Sequence, residues 1–258
     1  MIILTVYLQE LMNYPTEVKL KLERKSAFHS AIGLASLALK WVFLRLIIVL
    51  FTVFVPFASV YAGSYNDFFA AIRADDVDTV SNLLSKGFDP NAPTEDGQTP
   101  LIAALKAGAE KTTRLLINIK GVDIERTNLN DETALMLASI NGNVEIIKLL
   151  IQKGAEVNKP GWTPLHYAAT KGDLGTLKLL ISQSAYLDAE SPNGTTPLMM
   201  AAKYGTYEAV RLLIEEGADP TLRNNLKLNA TDFAEMTANA KLISYLKTQT
   251  SIWILSHP

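Results

Sequence analysis

Four stretches of this chain, GQTPLIAAL, DETALMLAS, GWTPLHYAA and GTTPLMMAA, fall into register when anchored on Thr99, Thr133, Thr163 and Thr196, which lie 34, 30 and 33 residues apart. A period near 33 means that one small supersecondary unit is repeated. Such a unit cannot bury its apolar side alone and must lean on its copies. Five residues after the anchors stand Ala104, Ala138, Ala168 and Ala201. The register continues outward to Asn66 and Asn229, each 33 residues beyond an end anchor and followed at the same offset by Ala71 and Ala234, giving six units.

The anchor Thr is a good helix N-cap, its hydroxyl accepting from an orphan amide, and the Pro that follows three of the four loses no hydrogen bond at the first helical position. Leu two residues on and Ala five residues on share one helix face, and the small Ala lets a second helix approach. Gly108, Gly142, Gly172 and Gly205, nine after each anchor, are expected to end this helix in the left-handed conformation. Second helices follow in NVEIIKLLIQK, DLGTLKLLISQ and TYEAVRLLIEE, apolar on one side and charged on the other. Gly87, Gly121, Gly154 and Gly217 close them, and turn sequences such as SPNGTT come next.

These features recur in phase: T-P-L-H-x-A, the paired glycines, LLI in the second helix, and KGFDPN, KGAEVN or EGADPT at its end. From about Tyr65 to Lys247 the chain resembles the ankyrin repeat family. The resemblance implies an all-α ankyrin-repeat solenoid of about six helix-turn-helix units with β-hairpin tips. The end units depart from the pattern as caps should, since each lacks one neighbour. Asn82 replaces the Leu found at 115, 149, 179 and 212, while Asn66 is expected to cap its helix. The last unit, NATDFAEMTANAKLISYLK, lacks the Pro, the Leu (here Thr231) and the Gly. The loop KPGW is three residues short, which predicts a stunted tip, and INIKG carries one extra residue before Gly121.

His166, one of three histidines, stands where the other units have Ile102, Met136 and Met199. A position whose equivalents are apolar is not a repeated metal or proton-transfer site. The resemblance implies that this histidine braces neighbouring units through hydrogen bonds. A hydrolase using His166 with Asp173 is the competing reading, and it lacks a nucleophile, a second ligand and an oxyanion feature. The absence of cysteine excludes disulfides, thiolate zinc sites and thiol nucleophiles. No catalytic residue, metal or cofactor is expected.

Leu46 to Ala62, LIIVLFTVFVPFASVYA, is uncharged, follows KWVFLR and ends in small residues. Residues 39–62 therefore read as a secretory signal of bacterial type, cut between Ala62 and Gly63. The alternative is an uncleaved anchor, although roughly 16 to 17 apolar residues are marginal against the about 20 that a span needs. Residues 1–38, with Lys19, Lys21, Arg24 and Lys25, are an overlong n-region or an extension that is not native. The repeat domain is placed at 63–247 and a tail at 248–258, which contains the apolar IWIL. Of 24 basic and 26 acidic side chains, six and three fall before residue 63, so the remainder carries a net charge of −5. That sign disfavours nucleic acid. The expected setting is periplasmic or secreted, with the membrane reached only through 39–62 if that segment is uncleaved.

The resemblance places ligand contacts at the tips and just before the first glycine. By register these are Lys106, Leu129, Asn130, Glu132, Ile140 and Asn141, then Trp162, Thr170, Lys171, Pro192, Asn193, Thr195, Lys203 and Tyr204. Binding energy concentrates in Trp, Tyr and Arg, so Trp162 and Tyr204 are the expected anchors. Each has a structural alternative: Trp162 covering the short tip, Tyr204 packing along its own helix. The chain reads as a protein-binding monomer without chemistry of its own, because linear stacking requires no dimer.

Overall fold

The structure, a computed structural model, describes residues 65–257 and, ahead of them, Arg45 alone. The 1–38 extension, the apolar segment at 39–62 and the Ala62–Gly63 junction lie outside the described residues.

Helices come in pairs. Helix α1 (residues 65–73) pairs with α2 (Val77–Ser85), α3 (Pro100–Ala107) with α4 (Glu110–Asn118), and α5 (Ala134–Asn141) with α6 (Val144–Gln152). Then α7 (Pro164–Lys171) pairs with α8 (Leu174–Ser182), α9 (Pro197–Tyr204) with α10 (Tyr207–Glu215), and α11 (Ala230–Glu235) with α12 (Ala240–Ser256). First helices stack on first helices in chain order from α3 to α11, and second helices do the same from α2 to α10. The copies thus pile in series.

Capping follows the repeat. Thr99, Thr133 and Thr196 accept from the amides of Ile102, Met136 and Met199 at 3.3, 3.3 and 3.4 Å. Asn229 does the same for Asp232, whose carboxylate accepts in return from the Asn229 amide. Asn66 departs from expectation: it lies within helical residues 65–73 and is not their cap.

Three turn positions recur with left-handed backbone, Gly205 excepted, and the five non-glycine residues that adopt it fall in the same rows as the glycines. Asp75 and Ala238 stand in the row of Gly108, Gly142 and Gly172; Ser184 joins Gly87, Gly121, Gly154 and Gly217; Asp131 and Lys227 join Gly97, Gly161 and Gly194. The units therefore keep their backbone even where glycine is lost, at a local cost. Gly205 corrects the expectation for its row, with φ −82° and ψ −156°. A Cβ there would lie 2.5 Å from the Ala169 carbonyl oxygen, so this glycine permits close approach of the preceding unit and not a left-handed turn.

Side chains clamp each unit to the next at one repeated position. Asn91 donates to the Gly121 carbonyl and accepts from the Asp123 amide, and Asn158 does likewise with Ser184 and Tyr186. Glu125 and Asp188 only accept, from the amides of Glu156 and Asp219. Where Ala109 offers no capping side chain to α4, Asp75 of the preceding unit accepts from the Lys111 and Thr112 amides at 3.3 and 2.7 Å.

No β-strand forms among the described residues, which corrects the β-hairpin tips. Each full-length tip is closed by one cross-bond, Thr94 to Gln98, Asn128 to Glu132, Ser191 to Thr195 and Asn224 to Leu228, each from amide to carbonyl. Arms this short hold one pair, and a ladder needs more. The KPGW loop is tied instead by Lys159 to Asp131 of the preceding tip. The expected tail from 248 is a continuation of α12, which runs unbroken to Ser256 and leaves Ile252, Ile254 and Leu255 exposed.

Candidate functional site

His166 is buried and both ring nitrogens are occupied. The Thr163 amide donates to Nδ1 at 3.1 Å, so Nδ1 carries no proton; Nε2 lies 2.8 Å from the Thr195 carbonyl, which only accepts, so Nε2 carries it. The Thr163 hydroxyl, 2.9 Å from Nδ1, adds a second donor. Burial pushes the imidazole down to about 4, against the smaller opposing effect of the backbone hydrogen bonds. Asp173 is elsewhere, capping α8 by accepting from the Thr176 amide at 2.7 Å. The His166–Asp173 dyad considered for a hydrolase is thus not formed. His166 braces the tip of the following unit, as the resemblance implied. Met136 and Met199 fill its place in other units, with sulfur accepting the anchor amide at 3.4 Å.

Above His166 lies an apolar recess of about 310 Å³ on the face carrying the last turns of the first helices. Glu132, Ile140, Trp162 and Thr170 line it, which brings together four of the expected residues from two tips and two helices. Trp162 stands edge-on to the His166 ring, centroids 5.2 Å apart. His166 itself lines the floor, and Leu137, Tyr167 and Met200, which were missed, complete the lining. All three stand four residues after an anchor, three before the Ile140 and Thr170 row, so helical spacing carried the signal.

The rim is polar and internally satisfied. Glu132 accepts from Asn128 at 2.7 Å and from the Tyr167 hydroxyl at 3.2 Å, and pairs with Lys106 at 3.3 Å. Burial alone would raise this carboxyl, but the bonds from Asn128, Lys106 and Tyr167 outweigh it and hold it below the usual carboxylate range. Burial and the neighbouring Glu132 raise the Tyr167 hydroxyl, which stays a donor.

The other expected residues divide. Leu129 is 79% exposed, with its side chain across Gly97 of the preceding tip. Asn130, Lys171 and Pro192 are exposed. Asn141 is exposed yet donates to the Leu105 carbonyl at 2.8 Å, and Asn193 closes its own tip through Ser191 and Thr195. Tyr204 is 55% exposed beside Lys203, whose ammonium lies 5.0 Å from the Tyr204 ring and 5.8 Å from that of Phe233. Thr195 must be withdrawn as a contact: it is 2% exposed, turned inward because its carbonyl receives His166.

The family model for ankyrin repeats (3 copies) matches residues 68–160 and 158–224. A protein fem-1 homolog A-like of Mus musculus is 32% identical over 161 residues, covering 61% of this chain and 24% of that protein. The B-cell lymphoma 3 protein homolog of Mus musculus is 30% identical over 154 residues, 57% of this chain and 34% of the relative. The chain spans about a third or less of the curated relatives it matches. Among solved structures, a chain in the complex of the Bd0816 predatory endopeptidase from Bdellovibrio bacteriovorus with immunity protein Bd3460 superposes with a TM-score of 0.62 at 30% identity. That match covers 70% of this chain and 96% of the other. With paired helices in series, the anchor caps, the inter-unit histidine brace and a family model covering more than half its length, the chain belongs to the ankyrin repeat family.

Proposed function

We propose that the chain is an exported, non-enzymatic module of six repeats that holds a protein partner on the face formed by the last turns of its first helices. Ankyrin repeats are protein-interaction modules, and the observation that carries the choice of face is the recess lined by Leu137, Ile140, Trp162 and Met200. An apolar hollow with a satisfied polar rim is what a partner side chain fills on binding. His166, beneath it, has no free nitrogen for chemistry. The solved complex pairs an endopeptidase with an immunity protein, and from that likeness an exported peptidase is the partner class to try first.

The test is affinity capture from an envelope fraction with wild type, Trp162→Ala and Tyr204→Ala side by side, each with its thermal stability measured. Lost capture at unchanged stability supports the reading; lost stability with capture retained refutes these anchors. N-terminal sequencing of the recovered protein should begin at Gly63, and residues from 39–62 at the start would favour a membrane-tethered scaffold.

A further inference from the structure

Helix α12 is longer than the repeat requires. The second helices α2, α4, α6, α8 and α10 have nine residues each, whereas α12 has seventeen. Its two buried side chains, Leu242 and Leu246, lie within its first nine residues, so the remainder, about 12 Å of helix, adds nothing to the buried core. That extension carries Ile252, Trp253, Ile254 and Leu255 in succession. At about 3.6 residues per turn, four in a row face every side of the helix. Ile252, Ile254 and Leu255 are exposed, and Trp253 is half-buried with its ring stacked on that of His257, centroids 4.2 Å apart. Three of the eight large apolar side chains exposed among the described residues thus fall within one turn, unlike the single apolar residues that any surface carries.

Polar groups beside this turn are already satisfied within the helix. The Thr248 hydroxyl donates to the Ser244 carbonyl and that of Ser251 to the Lys247 carbonyl, each at 3.0 Å. Ser256 donates to the carbonyls of Ile252 and Trp253 at 3.0 and 3.1 Å. No Asp or Glu occurs from Met236 to Pro258. The two lysines of that stretch are engaged further back, Lys247 with Glu235 at 2.9 Å and Lys241 over the Tyr207 ring at 4.1 Å. Taking the turn out of water therefore strands no carboxylate and few hydrogen-bonding groups, which is the main cost of such a transfer.

We infer that the last turn of α12 dips into a lipid surface, a contact separate from the recess and independent of it. A groove on a protein partner reads one stripe of a helix, with apolar residues three and four apart over several turns. Here the side facing away from Leu242 and Leu246 continues as Ser244, Lys247, Thr248 and Ser251, all exposed. The same polar side argues against a second copy of the chain, because a stable interface takes about 20–30 residues from each partner. Lipid chains, in contrast, close around a helix turn from every side. The four apolar residues span about 6 Å of helix axis, within the roughly 5–10 Å that interfacial helices enter. Trp253 and His257 sit at the headgroup level, where Trp is enriched. Among the described residues no helix is long and apolar enough to cross a membrane, so this contact is shallow.

The full chain has no cysteine, so one introduced thiol carries one dye. A nitrobenzoxadiazole group on Ser256→Cys should brighten and shift to the blue on addition of phosphatidylcholine vesicles, and high salt should not reverse the change. The same dye on Ser244→Cys, about three turns earlier, should stay in water. Adding Ile254→Asp/Leu255→Asp to the Ser256→Cys chain, with thermal unfolding unchanged, should abolish the response. A silent dye at residue 256, an equal response at 244, or a response that survives the two aspartates would overturn the lipid contact. So would a response that needs anionic lipid and disappears in salt, since charge and not apolar burial would then be the cause. A blue shift that grows with protein concentration before vesicles are added would show that a second copy covers the turn instead.

Discussion

Replacing His166 by Met should reverse the order of stability between pH 7 and pH 5. Met already occupies this position in two other units, where its sulfur accepts the anchor amide. The variant keeps that acceptor for the anchor amide and loses the Nε2–H bond to the Thr195 carbonyl, which retains a bond from the Ser191 amide at 3.0 Å, together with the bond from the Thr163 hydroxyl to Nδ1. The loss at pH 7 is that of ordinary neutral hydrogen bonds, about 1 kcal/mol. Acid acts in the opposite sense. The imidazole takes a proton below about 6.5 in the unfolded chain and only near about 4 in the folded one, so the stability His166 contributes is full above pH 6.5 and falls as pH drops toward 4. Between pH 7 and pH 5 that linkage costs the wild type about 2 kcal/mol. Carboxylate effects are common to both proteins and cancel. Urea unfolding followed by circular dichroism should therefore find the wild type more stable by about 1 kcal/mol at pH 7 and less stable by about 1 kcal/mol at pH 5. An equal difference at the two pH values would show that the histidine is not a buried neutral brace.

Ser184, at φ 62° in a row of glycines, should accept Gly with a gain of about 0.5–1 kcal/mol, the relief of left-handed strain exceeding the added unfolded-state entropy; a lower unfolding midpoint would contradict this. Asp188 only accepts where Asn91 and Asn158 also donate, and burial, with Asp219 nearby, raises its carboxyl. A raised folded value means stability present at low pH and lost as pH rises through it, so Asp188→Asn should stabilise by about 1 kcal/mol at pH 7, with the gain fading below the usual carboxylate range. The Thr176 hydroxyl is buried without a hydrogen-bond partner, so Thr176→Val should raise stability by about 1 kcal/mol in thermal melts, and a loss would reveal an unrecognised bond.

The 33-residue period by itself determined the paired helices, the Thr caps and two of the glycine rows, because each depends on contacts within a unit or on a repeat of the same contact at each junction; the bracing role of His166 came from the family resemblance. Register read through the family resemblance placed Lys106, Ile140, Trp162 and Thr170 on one face. What the period did not determine was which members of adjacent rows meet. Asp75 caps α4 from the preceding unit, Gly205 admits the Ala169 carbonyl, Thr195 turns inward, and Leu137, Tyr167 and Met200 close one recess from three helices. Each of these joins side chains or backbone some thirty residues apart, and only the distance and rotation between stacked units brings such groups within a few ångströms. The tertiary structure decided them because that spacing is set by the sum of side-chain volumes packed between the helices, which no single row of the repeat contains.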